Sequence, residues 1–260
     1  MSFFINTLEE KIQESLKIIK DNEPSDGYVV SDSGGKDSGV IVHLAKLAGV
    51  RFVCIFYNTT IEHPLLYKFL RTKRKETIHI SPKIPYFELV EKRGLPSRRA
   101  RFCCDYLKKA SNDSGRVYII GIRTQEGSMR KRRYKYPVET CHIKDITKVY
   151  PILNWTVKDV WDFHKKYDLP YCELYDKGFT RLGCIGCCMT DNKKVEIERY
   201  PWFKKRLIKS IDTFIHNAKN RDSKSKLLKI TDDAQVWYEW WVSEKSIDQF
   251  FGLTDGKLWK

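Results

Sequence analysis

A short apolar run, Tyr28-Val-Val30, passes into Ser33-Gly-Gly-Lys-Asp-Ser38 and then into a helical pattern over residues 39–48, stopped by Gly49. Strand, glycine-bearing turn and helix in that order constrain the fold more than any other feature of the chain. The glycines let backbone N–H groups approach an anion, and the helix N-terminus adds the positive end of its dipole. Ser33 and Ser38 contribute hydroxyl donors, and Lys36 a counter-charge. The spacing is not that of a Walker loop. An ordinary glycine turn with a solvent-facing lysine is the competing reading, and the strand–loop–helix order argues against it.

Further elements alternate around this unit. Ile12, Leu16 and Ile19 mark a helix over 9–20, ended by the turn cluster 21–27. Strands are predicted at 51–57, 77–80 and 116–121, and helices at 62–71, 86–92 and 157–167, the last begun at Thr156. The alternation predicts βαβ units, hence an α/β fold with an open, mostly parallel sheet and helices on both faces. Beyond the cysteine-rich segment the texture becomes helical and aromatic over 193–219 and 232–251, separated by polar residues 220–226. The expected organisation is an N-terminal helix (1–24), a nucleotide-binding domain carrying the cysteines (25–192) and a small helical C-terminal region (193–260). Trp237-Tyr-Glu-Trp-Trp241 is a base-stacking candidate that reads first as core, and His43 reads as a packed helix residue.

Composition bounds the partners. Lys and Arg number 48 against 33 Asp and Glu, an excess of +15, and 13% of residues are aromatic, which excludes a disordered chain. No apolar run reaches membrane-spanning length, so no membrane partner is expected. The charged, amphipathic start is unlike a signal peptide, and a cytoplasmic location is expected. The positive excess suits a polyanion such as nucleic acid or a nucleotide, although solvated basic helix faces account for it equally well. The run Arg130-Lys-Arg-Arg-Tyr-Lys135 carries the same two readings.

The chain has 8 cysteines. Cys103-Cys104 lies on a helix predicted over 96–110, and Cys184-Ile-Gly-Cys187 is followed at once by Cys188. A C-x-x-C turn places two thiolates on one side, with Gly186 relieving the crowding, and two such pairs can close a four-thiolate site. Adjacent helical side chains diverge by about 100°, so zinc competes with an iron–sulfur cluster, and inert buried thiols are a third reading. Cys54 reads as core, and Cys141 and Cys172 have no partner pattern.

The loop Ser33-Gly-Gly-Lys-Asp-Ser38 resembles the PP-loop of the adenine nucleotide alpha-hydrolase superfamily. The wider string resembles its phosphoadenosine phosphosulfate (PAPS) reductase-like branch. Phe56-Tyr-Asn-Thr-Thr-Ile-Glu-His-Pro64 stands where that branch has DTG…FPET, with Asn58 in place of the aspartate. Gly121-Ile-Arg-Thr-Gln-Glu-Gly-Ser-Met-Arg130 is similar to its G-x-R…ES…R element, and the stretch 150–178 to its P…W…DVW…LP…LYD.G pattern. The resemblance covers about residues 25–190 and does not extend to the last 70 or so.

The resemblance implies that Ser33, Gly34, Gly35, Lys36, Asp37, Ser38, Gly121 and Arg123 bind an adenine nucleotide, here ATP with Mg²⁺. It implies that Lys36, Arg123 and Arg130 stabilise departing pyrophosphate while Asp37 places the metal or the loop. The iron–sulfur reductases of the family hold a [4Fe-4S] cluster on a CC pair plus a CxxC pair. By position these are Cys103, Cys104, Cys184 and Cys187, with Cys188 able to replace Cys187 and zinc as the alternative metal.

Three functions follow as expectations. The first is an ATP pyrophosphatase that adenylates an acceptor for sulfur transfer, as relatives do in DNA phosphorothioation or tRNA thiolation, with a sulfur donor such as a cysteine desulfurase. The second is reduction of adenylyl sulfate or PAPS, which in the family uses a nucleophilic tail cysteine, whereas the last cysteine here is Cys188. Retention of both Lys36 and Asp37 also favours ATP cleavage. The third is a non-catalytic nucleotide-binding subunit. A homo-oligomer or a larger complex is expected in each case.

Overall fold

Thr7 opens the first helix, α1 (Leu8–Asp21), through a capping box in which its hydroxyl accepts from Glu10 N and the Glu10 carboxylate accepts from Thr7 N. The computed structural model describes residues 7–109, 114–142, 145–190, 192–220 and 225–253. The chain continues through β1 (Tyr28–Ser31), α2 (Lys36–Ala48), β2 (Phe52–Tyr57), α3 (Pro64–Lys73), β3 (Ile78–Ile80) and α4 (Tyr86–Arg93). A short α5 (Phe102–Cys104) widens into a π-helical turn, Asp105–Lys109. Next come β4 (Val117–Ile119), a 3-10 turn (Thr124–Glu126), α6 (Ser128–Arg133), β5 (Val138–Cys141), β6 (Ile146–Val149) and α7 (Val157–Lys166). The last helices are α8 (Lys193–Glu198), α9 (Pro201–Lys219), α10 (Lys226–Ile230), α11 (Ala234–Ser243) and α12 (Ile247–Phe251).

The strands form one six-stranded sheet in the order β3-β2-β1-β4-β6-β5. Every neighbouring pair is parallel except β5–β6, an antiparallel edge. The mostly parallel sheet is the one the alternation predicts; the edge hairpin is an addition. Its strands are four residues each and carry polar Glu139, Thr140, Thr147 and Lys148, so no apolar run announces them. On one sheet face Val30, Cys54, Ile119 and Val149 meet Ile12 and Ile19 of α1, Ile41 and Leu44 of α2, and Val160 and Phe163 of α7. Each such side chain contributes about 1.5–3 kcal/mol by leaving water. Alternate residues Val29, Tyr118 and Ile146 cluster on the opposite face.

Packing divides the chain into two compact units. One comprises Met1–Asn58, Glu62–Ser81 and Ser111–Gly183 and contains the sheet; the other comprises Thr59–Ile61, Pro82–Ala110 and Cys184–Lys260. Residues 82–110 therefore pack with the C-terminal helices although they lie inside the 25–192 segment. In the second unit α4 lies along α9, and Leu89, Val90, Phe203, Leu207, Trp237 and Trp241 share one core. Trp237 and Trp241 are core residues, their ring N–H groups donating to Thr231 O at 2.9 Å and Pro96 O at 2.6 Å.

Three of the predicted helices are interrupted or shortened; that over 232–251 divides at Glu244, in the left-handed region, into α11 and α12. The predicted 193–219 helix is broken at Tyr200, where Pro201 starts a new first turn. The predicted 96–110 helix begins only at Phe102, because Ser97 N donates to Ala100 O and Ser97 Oγ accepts from Ala100 N, closing a turn instead. Its expected end at 110, like the N-terminal residues 1–6 and the tail 254–260, lies outside the described residues. Among the described residues no helix is long and apolar enough to cross a membrane.

Candidate functional site

The strand order reverses at β1: β2 and β3 lie on one side, β4 on the other. In open α/β sheets the crevice beyond the carboxyl ends of such a pair receives the ligand. The loop 32–38 leaves β1 there, and Gly121 to Arg123 leave β4. Asp32 is 1% exposed and braces the loop from below. Its Oδ1 accepts from Gly34 N at 3.0 Å and Ser38 Oγ at 2.9 Å, and its Oδ2 from Thr77 Oγ1 at 2.9 Å. Gly34 has φ +72°, and a Cβ there would stand 2.6 Å from Leu66 Cδ1, so only glycine fits. Helix α2 starts at Lys36, three residues before the periodicity suggests, which places Asp37 and Ser38 in the first turn, where amides have no intrahelical acceptor.

Charge gathers at this turn. Lys36 Nζ lies 3.1 Å from Asp37 Oδ2 and 3.2 Å from Thr180 O, and its backbone N–H donates to Tyr175 Oη at 2.9 Å. Arg123, 2% exposed, places Nε 2.5 Å from Asp37 Oδ1. The Asp37 carboxylate is thus clamped between two cations. Gly121 gives room for this approach, since a Cβ there would sit 3.1 Å from Asp37 O. His164 Nε2 lies 2.8 Å from Lys36 O, and burial lowers its pKa. Glu126 accepts from Arg123 N at 3.2 Å and pairs with Arg130, so two ion pairs, Asp37–Arg123 and Glu126–Arg130, are joined through the Arg123 backbone.

Of the four residues expected to act on phosphates, Lys36, Asp37 and Arg123 come together. Arg130 stands two contacts further out on α6, partly exposed and tied to Glu126. Asn58 follows β2; Tyr67 Oη lies 2.5 Å from Asn58 Oδ1 and 2.9 Å from Glu62 Oε2, and Asn58 Nδ2 donates to Ser81 Oγ at 3.2 Å. An amide both donates and accepts, which suits a position beside a buried carboxylate. Sequence reasoning missed Asp32, Thr77, His164, Tyr175 and Thr180. Asp32 adjoins the loop and Tyr175 lies in the LYD.G string, so both were within reach; Thr77, His164 and Thr180 are brought in only by tertiary packing.

The cysteines meet in the second unit. Cys103, Cys104, Cys184, Cys187 and Cys188 line one cavity of about 30 Å³ with Thr59, Ile61 and Tyr86. Gly186, at φ +63°, makes the C-x-x-C turn, where a Cβ would stand 2.7 Å from Ile197 Cδ1. Cys184 Sγ lies 3.2 Å from Thr59 Oγ1. The thiols also hydrogen-bond one another. Donation from Cys103 and Cys187 lowers the Cys188 pKa, and the Cys103 thiol lowers that of Cys104, while Cys103 and Cys187 are raised by the same contacts. Among the described residues no three His, Cys, Asp or Glu side chains stand at metal-ligating geometry. Five sulfur donors around one cavity nevertheless have the chemistry that thiophilic metals require. Cys54 is core, as expected, with burial raising its pKa to about 12.

Comparison with known proteins adds the family. The model of the phosphoadenosine phosphosulfate reductase domain matches residues 27–190. An uncharacterised protein of Methanocaldococcus jannaschii is 31% identical over 197 residues, 70% of this chain and 47% of that protein, so the chain spans about half of that relative. An adenosine 5'-phosphosulfate reductase of Bacillus mycoides is 26% identical over 65% of this chain and 76% of its own length. Among solved structures, the PAPS reductase of Candida auris in its phosphate complex superposes with TM-score 0.50 at 17% identity, covering 71% of this chain and 97% of that one. An FMN adenylyltransferase of Candida glabrata also gives 0.50, at 19% identity, over 69% of this chain and 62% of that one. With a six-stranded sheet of this order and a glycine-bearing loop at its reversal point, the chain belongs to the phosphoadenosine phosphosulfate reductase domain family, on the PP-loop adenine nucleotide alpha-hydrolase fold.

Proposed function

We propose that this protein binds ATP with its magnesium ion on the loop after β1, cleaves it between the α- and β-phosphates, and so adenylates an acceptor for sulfur transfer. The observation that carries this reading is the Lys36–Asp37–Arg123 clamp on the first turn of α2. Loop amides and the helix dipole favour the polyphosphate. Lys36, shared between Asp37 and a carbonyl, is the cation nearest the loop amides and stands ready to pair with the phosphates. Arg123 is held by Asp37 and keeps that carboxylate from facing the anion. An acceptor oxygen attacks the α-phosphorus, the bond to the β-phosphate oxygen breaks, and pyrophosphate leaves against fixed positive charge. A sulfur nucleophile then displaces AMP from the acceptor.

Cys103, Cys104, Cys184 and Cys187, with Cys188 beside them, are the residues that would hold a metal group. A [4Fe-4S] cluster bound there supplies electron or sulfur handling, and a zinc ion a structural staple. A sulfur donor such as a cysteine desulfurase is the partner this chemistry requires.

A second reading, reduction of adenylyl sulfate to sulfite, is favoured by the Bacillus relatives named for that activity. Both are tested on anaerobically purified protein. Pyrophosphate and AMP from ATP support ATP cleavage, and sulfite from adenylyl sulfate with a thiol reductant supports reduction and overturns it. Neither product, with nucleotide still bound, overturns both and leaves a nucleotide-binding subunit.

A further inference from the structure

The segment 128–136, Ser-Met-Arg-Lys-Arg-Arg-Tyr-Lys-Tyr, contains Arg130, Lys131, Arg132, Arg133 and Lys135 and no acidic residue. It forms α6 and the turn that leads towards β5. Arg130 alone is neutralised, by Glu126. Lys131, Arg132, Arg133 and Lys135 are exposed and have no acidic partner among the described residues. Uncompensated like charge at this density raises the cost of folding the segment unless an anion covers it.

Its aromatic content is placed for the same partner. The Arg133 guanidinium stacks over Tyr134 at 5.5 Å, and Tyr136 is 69% exposed. Met129 is the only aliphatic side chain on α6. The helix therefore has no apolar face to bury in a lipid surface. Cations interleaved with an exposed ring match a nucleic-acid strand, phosphates on the former and a base on the latter.

The position matters as much as the composition. Arg123, buried against Asp37 of the phosphate loop, donates its backbone N–H to Glu126, and Glu126 holds Arg130 at the root of α6. The basic segment is thereby fixed to the nucleotide loop through two ion pairs joined by a backbone hydrogen bond. We infer that residues 131–136 are a docking surface for a nucleic-acid strand, which presents the acceptor to ATP bound at the loop. This deepens the sulfur-transfer reading by naming its acceptor class and rests on that reading for its purpose, while the binding itself is measurable alone.

The experiment is fluorescence anisotropy of labelled single-stranded and duplex oligonucleotides, of DNA and RNA, titrated with the full chain over a range of salt. Contact by these four cations predicts a slope of log affinity on log salt near −3 for single strands, from about 0.7 per neutralised phosphate. The triple variant Lys131→Ser, Arg132→Ser, Arg133→Ser should bind ten- to a hundredfold more weakly, with the slope reduced by about 2. A control, Arg71→Ser, Lys73→Ser, Lys75→Ser, removes the same charge from exposed positions elsewhere and should lose less than threefold. ATP affinity should be unchanged in both variants.

Equal loss in the control overturns the proposal, because binding is then diffuse. Unchanged oligonucleotide affinity in the triple variant overturns it also. A parallel loss of ATP affinity assigns the segment to the nucleotide site instead. Tighter binding to anionic phosphatidylserine vesicles than to any oligonucleotide would replace the inferred partner with a membrane. Oligonucleotide binding without pyrophosphate release would leave this surface standing while the catalytic reading falls.

Discussion

At the residue scale, Asp32 shows how a small buried group can govern a site. Its carboxylate satisfies three donors, two from the loop and one from Thr77, while 1% exposed. Asp32→Ala strands Gly34 N–H and the Thr77 hydroxyl, while Ser38 Oγ keeps Gly35 O at 2.9 Å. Each unsatisfied donor costs about 1–3 kcal/mol and water can reach some of them, so a loss of about 3 kcal/mol is expected in urea unfolding, with ATP affinity reduced at least tenfold. Lys36 and Arg130 separate on similar grounds. Lys36→Ala should lower pyrophosphate release by about a hundredfold, as loss of a transition-state cation does. Arg130→Ala should lower it less than threefold, because that guanidinium is already engaged by Glu126 and partly in solvent. Equal losses in the two variants would return Arg130 to the catalytic group. The thiols pose a similar choice. Cys188 bonds to both Cys103 and Cys187, whereas the Cys187 thiol bonds to Cys188. Cys188→Ser should therefore lower bound iron or zinc more than Cys187→Ser, as read by metal and labile-sulfide analysis; the reverse order would restore the C-x-x-C pair as the ligands.

At the element scale, α2 joins the loop to the core, and a histidine on α7 reports on that junction. Burial lowers the His164 pKa, and those of His43 and His63 fall in the same direction. The unfolded chain, with an ordinary histidine near 6.5, then binds more protons than the folded one below that pH. Stability contributed by the buried neutral rings is present above the unfolded pKa and is lost as pH falls below it. His164→Gln keeps a donor for Lys36 O but cannot titrate, so its melting temperature should fall less between pH 7.5 and 5.5 than that of the parent; an identical fall would assign the dependence to other groups. The same helix shows what a sequence can reveal. The loop and the apolar stripe behind it were legible because glycines, charge and period occupy consecutive residues. Gly39 was not, since the reason for a glycine inside a helix lies 35 residues away: a Cβ there would stand 2.5 Å from Arg74 Nη2 and 3.2 Å from His164 Cε1. The π-turn after Cys104 and the four-residue strands β5 and β6 escaped for a related cause, being set by tertiary pairing with no periodic pattern of their own. The CC and CxxC pairs did point to one place, since the structure gathers them around a single cavity.

At the scale of the whole molecule, the two candidate centres belong to different compact units with different cores. Each ligand should therefore leave its own footprint in amide exchange, whatever the other does. A ligand at about a hundred times its dissociation constant stabilises the state it binds by about 2.7 kcal/mol, enough to slow local opening roughly a hundredfold. ATP with magnesium should slow exchange in peptides spanning 32–39 and 120–127, where loop amides and the Arg123 segment converge. Metal loading should slow exchange in peptides spanning 102–108 and 184–190, because bridging sulfurs from two distant segments closes a long loop that thiol contacts hold only weakly. The metal itself is read in parallel: about four iron and four sulfide per chain identify a cluster, and one zinc without sulfide a structural site. Protection by ATP confined to the 184–190 peptides would overturn the loop assignment. Metal loading that protects neither cysteine segment would show the five thiols to be packing residues, and the sulfur chemistry would then have to come entirely from a partner.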